Sequence, residues 1–161
     1  MKTLIDYAKS FVGKPYRWGG DDPMGGFDCS GLAQEILASV GFDPPGDQTA
    51  HMLWRELAKD GAKEKATAGA LVFFGKKERV THVGFMIDSW RMVEAGGGGS
   101  RTKTLDDAIK QNAYIRIRPI AARKDLVATL LPEYKNLSKG KVNPGLLGAA
   151  ISLLRLAVLK F

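Results

Sequence analysis

One cysteine, Cys29, and two histidines, His51 and His82, are all that this 161-residue chain offers as thiol and imidazole chemistry. A single cysteine excludes an internal disulfide framework, and two histidines beside it are too few for a Cys/His zinc cage. Neither a metal nor an organic cofactor is implied. A secretory leader is also missing from the start, because Met1-Lys2-Thr3-Leu4-Ile5-Asp6-Tyr7 is interrupted by Asp6 and then Lys9. The expected location is therefore the cytoplasm until assembly or lysis. Long apolar runs are scarce too. Leu146 to Phe161 is the longest, and as a helix it reaches about 24 Å against a hydrocarbon core of about 30 Å. It also carries Arg155 and Lys160, so a transmembrane span is not expected. No internal repeat is present.

What is there suits one soluble domain, with 45% apolar and 25% charged residues, which argues against disorder. The net charge of +7 is unevenly spread. Residues 1–119 hold 17 basic and 15 acidic side chains, whereas residues 120–161 hold 7 and 2. The body is close to neutral and the tail is basic.

Apolar spacing predicts a helix over about 3–12 that packs Leu4, Ile5, Ala8, Phe11 and Val12. A Gly/Pro-rich loop follows, from Gly13 to Phe27. A second helix is expected from about Cys29 to Val40, with Asp28 as N-cap and Gly41 as its stop. Thr49 to Lys59 predicts a third, presenting Met52, Leu53, Leu57 and Ala58. From residue 70 the period shortens. Ala70 to Phe74, Val80 to Ile87, Arg91 to Ala95 and Tyr114 to Arg118 read as strands, with a short helix near Leu105 to Lys110. Helices first and antiparallel strands afterwards make an α+β fold. The string Gly96-Gly97-Gly98-Gly99-Ser100 reads as a mobile loop, since a linker there would cut the sheet.

Cys29 stands at the first turn of its helix, after glycines and Asp28 and before the apolar period begins. Unpaired N–H groups and the partial positive charge of a helix N-terminus lower a thiol pKa and favour the thiolate. A small buried cysteine fits the position equally well on these grounds alone.

A cysteine nucleophile benefits from a base. His51 lies in an amphipathic helix just before Met52 and Trp54 and reads as a structural or surface histidine. In the strand holding His82, Val83, Phe85 and Ile87 take the core face, so His82, Gly84 and Met86 face the other way. Gly84 leaves room there for another chain or a substrate. If Val93 and Ala95 share the core face, paired residue numbers sum to an even number. That register puts Met92 and Glu94 on the His82 face, with Glu94 opposite His82 or Gly84. A carboxylate there can fix the imidazole tautomer and stabilise the imidazolium. The three residues form a Cys29–His82–Glu94 constellation.

Three stretches together carry a family resemblance: Gly13-Lys14-Pro15-Tyr16-Arg17-Trp18-Gly19-Gly20; Phe27-Asp28-Cys29-Ser30-Gly31-Leu32; and Leu71-Val72-Phe73-Phe74 with Thr81-His82-Val83-Gly84. In order and spacing, over about residues 3–118, the chain resembles the NlpC-type cysteine peptidases, papain-like enzymes that cleave peptidoglycan stem peptides. The resemblance puts the nucleophile on Cys29, the base on His82 and the third polar residue on Glu94. It further implies that Tyr16 lines the site beside the thiol, its hydroxyl assisting the oxyanion or the substrate. Asp28 and Ser30 match residues that shape the pocket for the substrate's amino terminus. The Cys29 N–H is a candidate oxyanion donor. Packing for Tyr16 and simple helix capping for Asp28 and Ser30 remain alternatives. Trp18 fits either the core or a cleft wall.

Two positions depart from the family pattern. Ala70 replaces the aspartate usual before the Leu-Val-Phe-Phe strand, which touches a loop contact and not the chemistry. Glu94 stands where a histidine is most frequent. Its charge should raise the His82 pKa, so that a thiolate–imidazolium pair persists to higher pH.

The expected domains are a catalytic domain over 1–119 and a basic, amphipathic helical extension over 120–161. Asn143-Pro144-Gly145 reads as a helix start, after which Leu146, Leu147, Ala150, Ile151, Leu154, Ala157, Val158 and Phe161 share an apolar face. Packing on the domain, docking onto a phage-tail or other protein partner through 143–161, and lying on a membrane surface all suit it. Nothing matches a nucleic-acid-binding motif. The resemblance implies hydrolysis of a stem-peptide bond, D-γ-glutamyl to diamino acid, and the missing leader makes a virion-associated or lysis enzyme of a phage the expected setting. A vestigial wall-binding or tail module is one alternative. Amidase, thioesterase or acyltransferase chemistry on the same fold is another.

Overall fold

The computed structural model describes residues 1–42, 46–60 and 62–134. The helix expected at 143–161 lies outside the described residues. Helix α1 (Lys2–Ser10) is followed by a two-stranded ribbon of β1 (Asp21–Asp22) and β2 (Gly26–Phe27), then α2 (Cys29–Ala38) and α3 (Ala50–Lys59). The strands β3 (Lys63–Glu64), β4 (Leu71–Lys76), β5 (Arg79–Met86) and β6 (Arg91–Ala95) come next. The described chain closes with α4 (Leu105–Lys110), β7 (Ile115–Pro119) and β8 (Leu126–Leu131). Six strands form one antiparallel sheet in the order β3-β8-β4-β5-β6-β7, so the fold is α+β. Among the described residues no helix is long and apolar enough to cross a membrane.

The main core lies where Leu4 and Ala8 of α1, Leu32, Ile36 and Leu37 of α2, and Leu53 and Leu57 of α3 meet Leu71, Phe73, Val83, Phe85, Val93 and Ala95 of the sheet. Three side chains expected inside are exposed instead: Val12, Met52 and Ala58. Helix α1 ends at Ser10, which releases Val12, and the buried stripe of α3 runs through Ala50, Leu53 and Leu57 with Trp54 beside it.

The opposite face of the sheet is not open. Ala70, Val72, Phe74, Met86 and Met92 form a second, smaller core there. This corrects the role expected for Gly84. A Cβ at Gly84 would lie 2.8 Å from Met92 Sδ and 3.3 Å from Val72 Cγ1, so the space is filled by the protein itself.

A second correction concerns the end of the sheet. Residues 120–161 were expected to form a helical extension, yet Leu126–Leu131 is a strand between β3 and β4, pairing Leu130 with Leu71 and Thr129 with Val72. Its apolar run Leu126-Val127-Ala128 is too short to separate helix from strand by periodicity, and its partner lies more than fifty residues earlier. Just beyond it, the Tyr134 hydroxyl donates to Gly69 O at 2.5 Å. Together with Ala70 N–H to Thr67 O at 3.1 Å, this closes the turn that lacks the usual aspartate.

Two glycines in the quoted motifs allow close backbone approach. A Cβ on Gly31 would come within 2.2 Å of Gly20 O, and one on Gly20 within 2.3 Å of Gly26 O. The loop before α2 therefore rests directly on the helix's first turn. Because the clashing atoms are backbone, Gly31→Ala is expected to cost about 2 kcal/mol or more. Thermal melting should show a Tm about 5 °C or more below wild type; an unchanged melt would contradict this account of the motif.

Candidate active site

Asp28 organises the start of α2. Extended at φ −88° and ψ −177°, it accepts N–H bonds from Ser30 and Gly31 at 2.9 Å on Oδ1, which also takes the Ser30 hydroxyl at 2.8 Å. Its other oxygen accepts the Gly19 N–H at 3.1 Å. Asp28 is thus an N-cap that also ties the preceding loop to the helix. Ser30 is buried, with its hydroxyl bonded to Asp28. The capping alternative describes the contacts of both residues.

This cap leaves Cys29 as the first helical residue, half-buried, with its backbone N–H in the turn that has no intrahelical acceptors. The thiol lies close enough to the His82 imidazole to shift its titration. Tyr16 is buried beside them, its phenol kept neutral by burial and then by the nearby charges of Cys29 and Asp28, which push its pKa well above the ordinary value. The Gly97 backbone lies against the Tyr16 ring so closely that a Cβ there would sit 2.5 Å from it. The glycine run is therefore a packed loop beside the site, held also by Gly98 N–H to Thr102 Oγ1 at 3.0 Å. Trp18 does not enter the core: it is 51% exposed, its N–H bonded to Thr102 O at 2.7 Å.

His82 occupies β5 at an irregularity. Phe74 pairs with His82 but Gly75 pairs with Val80, so Thr81 is an extra residue on β5. This bulge lets Val80 and Val83 both enter the main core and sets the strand end from which His82 projects. On its other side β5 pairs with β6 through Phe85 with Val93 and Met86 with Met92, the even-sum register. Continued along the strands, it puts Glu94 opposite Gly84. Glu94 is 1% exposed, and its Oε2 lies 2.5 Å from His82 Nε2. With Nε2 engaged, Nδ1 is the nitrogen left for the thiol.

Burial by itself lowers the His82 pKa, because it penalises the imidazolium. Hydrogen bonds and charges from Cys29 and Glu94 outweigh it and push the pKa up to about 9. For Glu94 the balance is similar: burial opposes the carboxylate, but His82 and Arg118 together hold its pKa below the usual glutamate value.

The structure therefore brings Cys29, His82, Glu94, Tyr16 and Asp28 into one neighbourhood. His51 stands apart, accepting the Val80 N–H on Nδ1 at 3.2 Å and stacking near Trp54, where it links α3 to β5. Arg118 is the residue the sequence reading missed. Its NH1 donates to Glu94 Oε1 at 3.0 Å, and the parity of β7 against Met92 was the signal that could have found it.

Residues 13–119 match the NlpC/P60 family. The chain is 41% identical over 101 residues to the bifunctional muramidase/DL-endopeptidase CwlT of Bacillus subtilis, covering 61% of this chain and 30% of that protein. It is 32% identical over 132 residues to the murein DD-endopeptidase MepH of Escherichia coli, covering 78% and 48%. The chain thus spans less than half the length of either relative. Among solved structures, the peptidoglycan hydrolase RipB of Mycobacterium tuberculosis superposes with a TM-score of 0.58 at 22% identity, over 80% of this chain and 64% of that one, a likeness of fold. With its matched segment enclosing Cys29, His82 and Glu94 in one connected cluster, the chain belongs to the NlpC/P60 family.

Proposed function

We propose that this protein is a cysteine endopeptidase that hydrolyses a stem-peptide bond in peptidoglycan, the bond between D-glutamate, through its γ-carboxyl, and the diamino acid. The observation that carries this reading is the set of a thiol at a helix N-terminus, an imidazole whose titration that thiol shifts, and a buried carboxylate 2.5 Å from the imidazole Nε2. Family membership supports the substrate class. The higher identity to a DL-endopeptidase than to a DD-endopeptidase supports the choice of bond.

In this reading the Cys29 sulfur attacks the scissile carbonyl carbon, and the electron pair moves onto oxygen. The Cys29 N–H and the neutral Tyr16 hydroxyl donate to that oxyanion. The His82 imidazolium gives its proton to the departing amine as the C–N bond breaks, leaving a thioester and a neutral imidazole. Water then adds to the thioester while His82 takes its proton, and the thiolate leaves. Glu94 holds the ring's orientation throughout and stabilises each imidazolium. Exposed Trp18 is assigned to a wall for the bound peptide.

The test is to incubate the protein with purified peptidoglycan and identify the released fragments by mass spectrometry. New D-glutamate carboxyl ends and diamino-acid amine ends are expected. Binding to the wall without cleavage would instead favour a non-catalytic module, and fragments cut only between sugars would overturn the peptide-bond reading.

A further inference from the structure

Glu94 has two carboxylate oxygens, and orienting His82 uses one. The other is also taken. In the β6–β7 ladder Arg116 stands directly opposite Glu94, but its guanidinium turns away, donating to Asn112 O at 2.6 Å and Asn112 Oδ1 at 2.5 Å. Arg118, opposite Met92 and hence a diagonal step from Glu94 on the same face, donates to Glu94 Oε1 at 3.0 Å. The arginine side chain is 44% exposed while the carboxylate is 1% exposed, so a solvated cation reaches in to a buried anion.

We propose that Arg118 is a positioning residue of this active site: it anchors the Glu94 carboxylate so that Oε2 stays on His82, and it offsets the carboxylate's charge at the imidazole. This rests on the Cys29–His82–Glu94 reading given above. The chemistry asks for such a counterweight. A buried, uncompensated carboxylate beside the ring would hold it as imidazolium, yet deacylation needs neutral His82 to accept a proton from water. A neutral third residue would need no cation; a glutamate does. Among the described residues the groups facing the pair are few. Cys29 comes from α2, and Asp125, which precedes β8 and is paired with Arg123 at 2.8 Å, feels the His82 charge. Arg118 is the cation hydrogen-bonded to Glu94 itself.

With two histidines in the chain, the His82 ring can be followed by NMR during a pH titration. In Arg118→Gln the His82 midpoint is expected to rise by about half a unit or more, because a cation is removed and the neighbouring anion is not. The pH–rate profile for wall hydrolysis should move the same way. Arg118→Lys restores the charge and should return most of both shifts. Arg116→Gln, which removes a nearby cation bonded elsewhere, should move neither. Circular dichroism checks that each variant is folded. Coincident His82 titrations for wild type and Arg118→Gln would overturn the proposal, as would an equal shift in Arg116→Gln, the signature of general surface charge. Cleavage that survives Cys29→Ala would overturn the underlying reading. Coincident titrations with cleavage abolished by Cys29→Ala would overturn the role of Arg118 alone.

Discussion

Cys29→Ala is expected to lower peptidoglycan hydrolysis by about three orders of magnitude or more while leaving the fold intact. Removing the nucleophile of a connected catalytic set costs nearly as much as removing the whole set, because the members act as a unit. Residual rate would come from the oxyanion donors and from substrate positioning. Stability should change little. The helix start is held by Asp28, Gly19 and Ser30, and the Cys29 side chain takes no part in that cap. Cys29→Ser sharpens the point, since a hydroxyl of similar size sits in the same place but ionises far less readily. It should hydrolyse the wall almost as poorly as the alanine variant. Fragment release measured by mass spectrometry, beside a thermal melt, decides the matter. A folded Cys29→Ala protein that cleaves at the wild-type rate would remove Cys29 from the mechanism.

Glu94→Gln carries the second large effect, and its sign follows from the two pKa shifts. His82 is pushed up to about 9 in part by the Glu94 charge, and glutamine keeps a hydrogen-bonding group while removing that charge. The His82 pKa should fall by about one unit or more. The imidazolium that protonates the leaving amine is then lost at lower pH, so the basic limb of the rate profile moves down. Hydrolysis at pH 9 should drop about fivefold or more relative to wild type, with a smaller loss near neutrality. Superimposable profiles would show that Glu94 does not govern the imidazole.

Stability should respond to the same substitution with its own pH dependence. The folded His82 pKa lies above the unfolded value of 6.5, so its contribution is complete below 6.5 and is lost as pH rises through about 9. The folded Glu94 pKa lies below 4.5, so its contribution is complete above 4.5 and is lost as pH falls through the folded value. The stability gap between wild type and Glu94→Gln should therefore be widest between about pH 4.5 and 6.5 and narrow toward pH 9. Urea unfolding at several pH values measures it.

Much of this site was legible from local rules. Asp28 before an apolar period marked the N-cap, and the cap places Cys29 in the first turn with no further information. Alternation along Val83, Phe85 and Ile87, together with Val93 and Ala95, restricted the β5–β6 register to even sums, which brings Glu94 to the His82 side. Those inferences worked because helix caps and hairpin registers are decided by neighbours close in sequence.

Other features depended on contacts that no local pattern encodes. Gly84 looked like space for a ligand until Met92 and Val72 filled it. The Thr81 bulge interrupts an alternation that reads as regular. Trp18 was equally suited to core and surface, and the loop's hydrogen bond to Thr102 settled it outside. Strand β8 joins the sheet between β3 and β4 across a long sequence gap, so its short apolar run carried too little signal. Arg116 and Arg118 are equivalent by alternation. The turn at Asn112 claims the first, and only the second is left for Glu94.

The sequence by itself determined that a lone cysteine would stand at a helix N-terminus and that a glutamate would share a sheet face with a histidine. Both follow from capping and from the two-residue period of a strand, which act over a few residues. The tertiary structure alone decided that imidazole, carboxylate and guanidinium form one bonded line with the thiol close beside the imidazole. That arrangement joins α2, β5, β6 and β7, and its geometry depends on how the helix packs against the twisted sheet, a property of the whole fold.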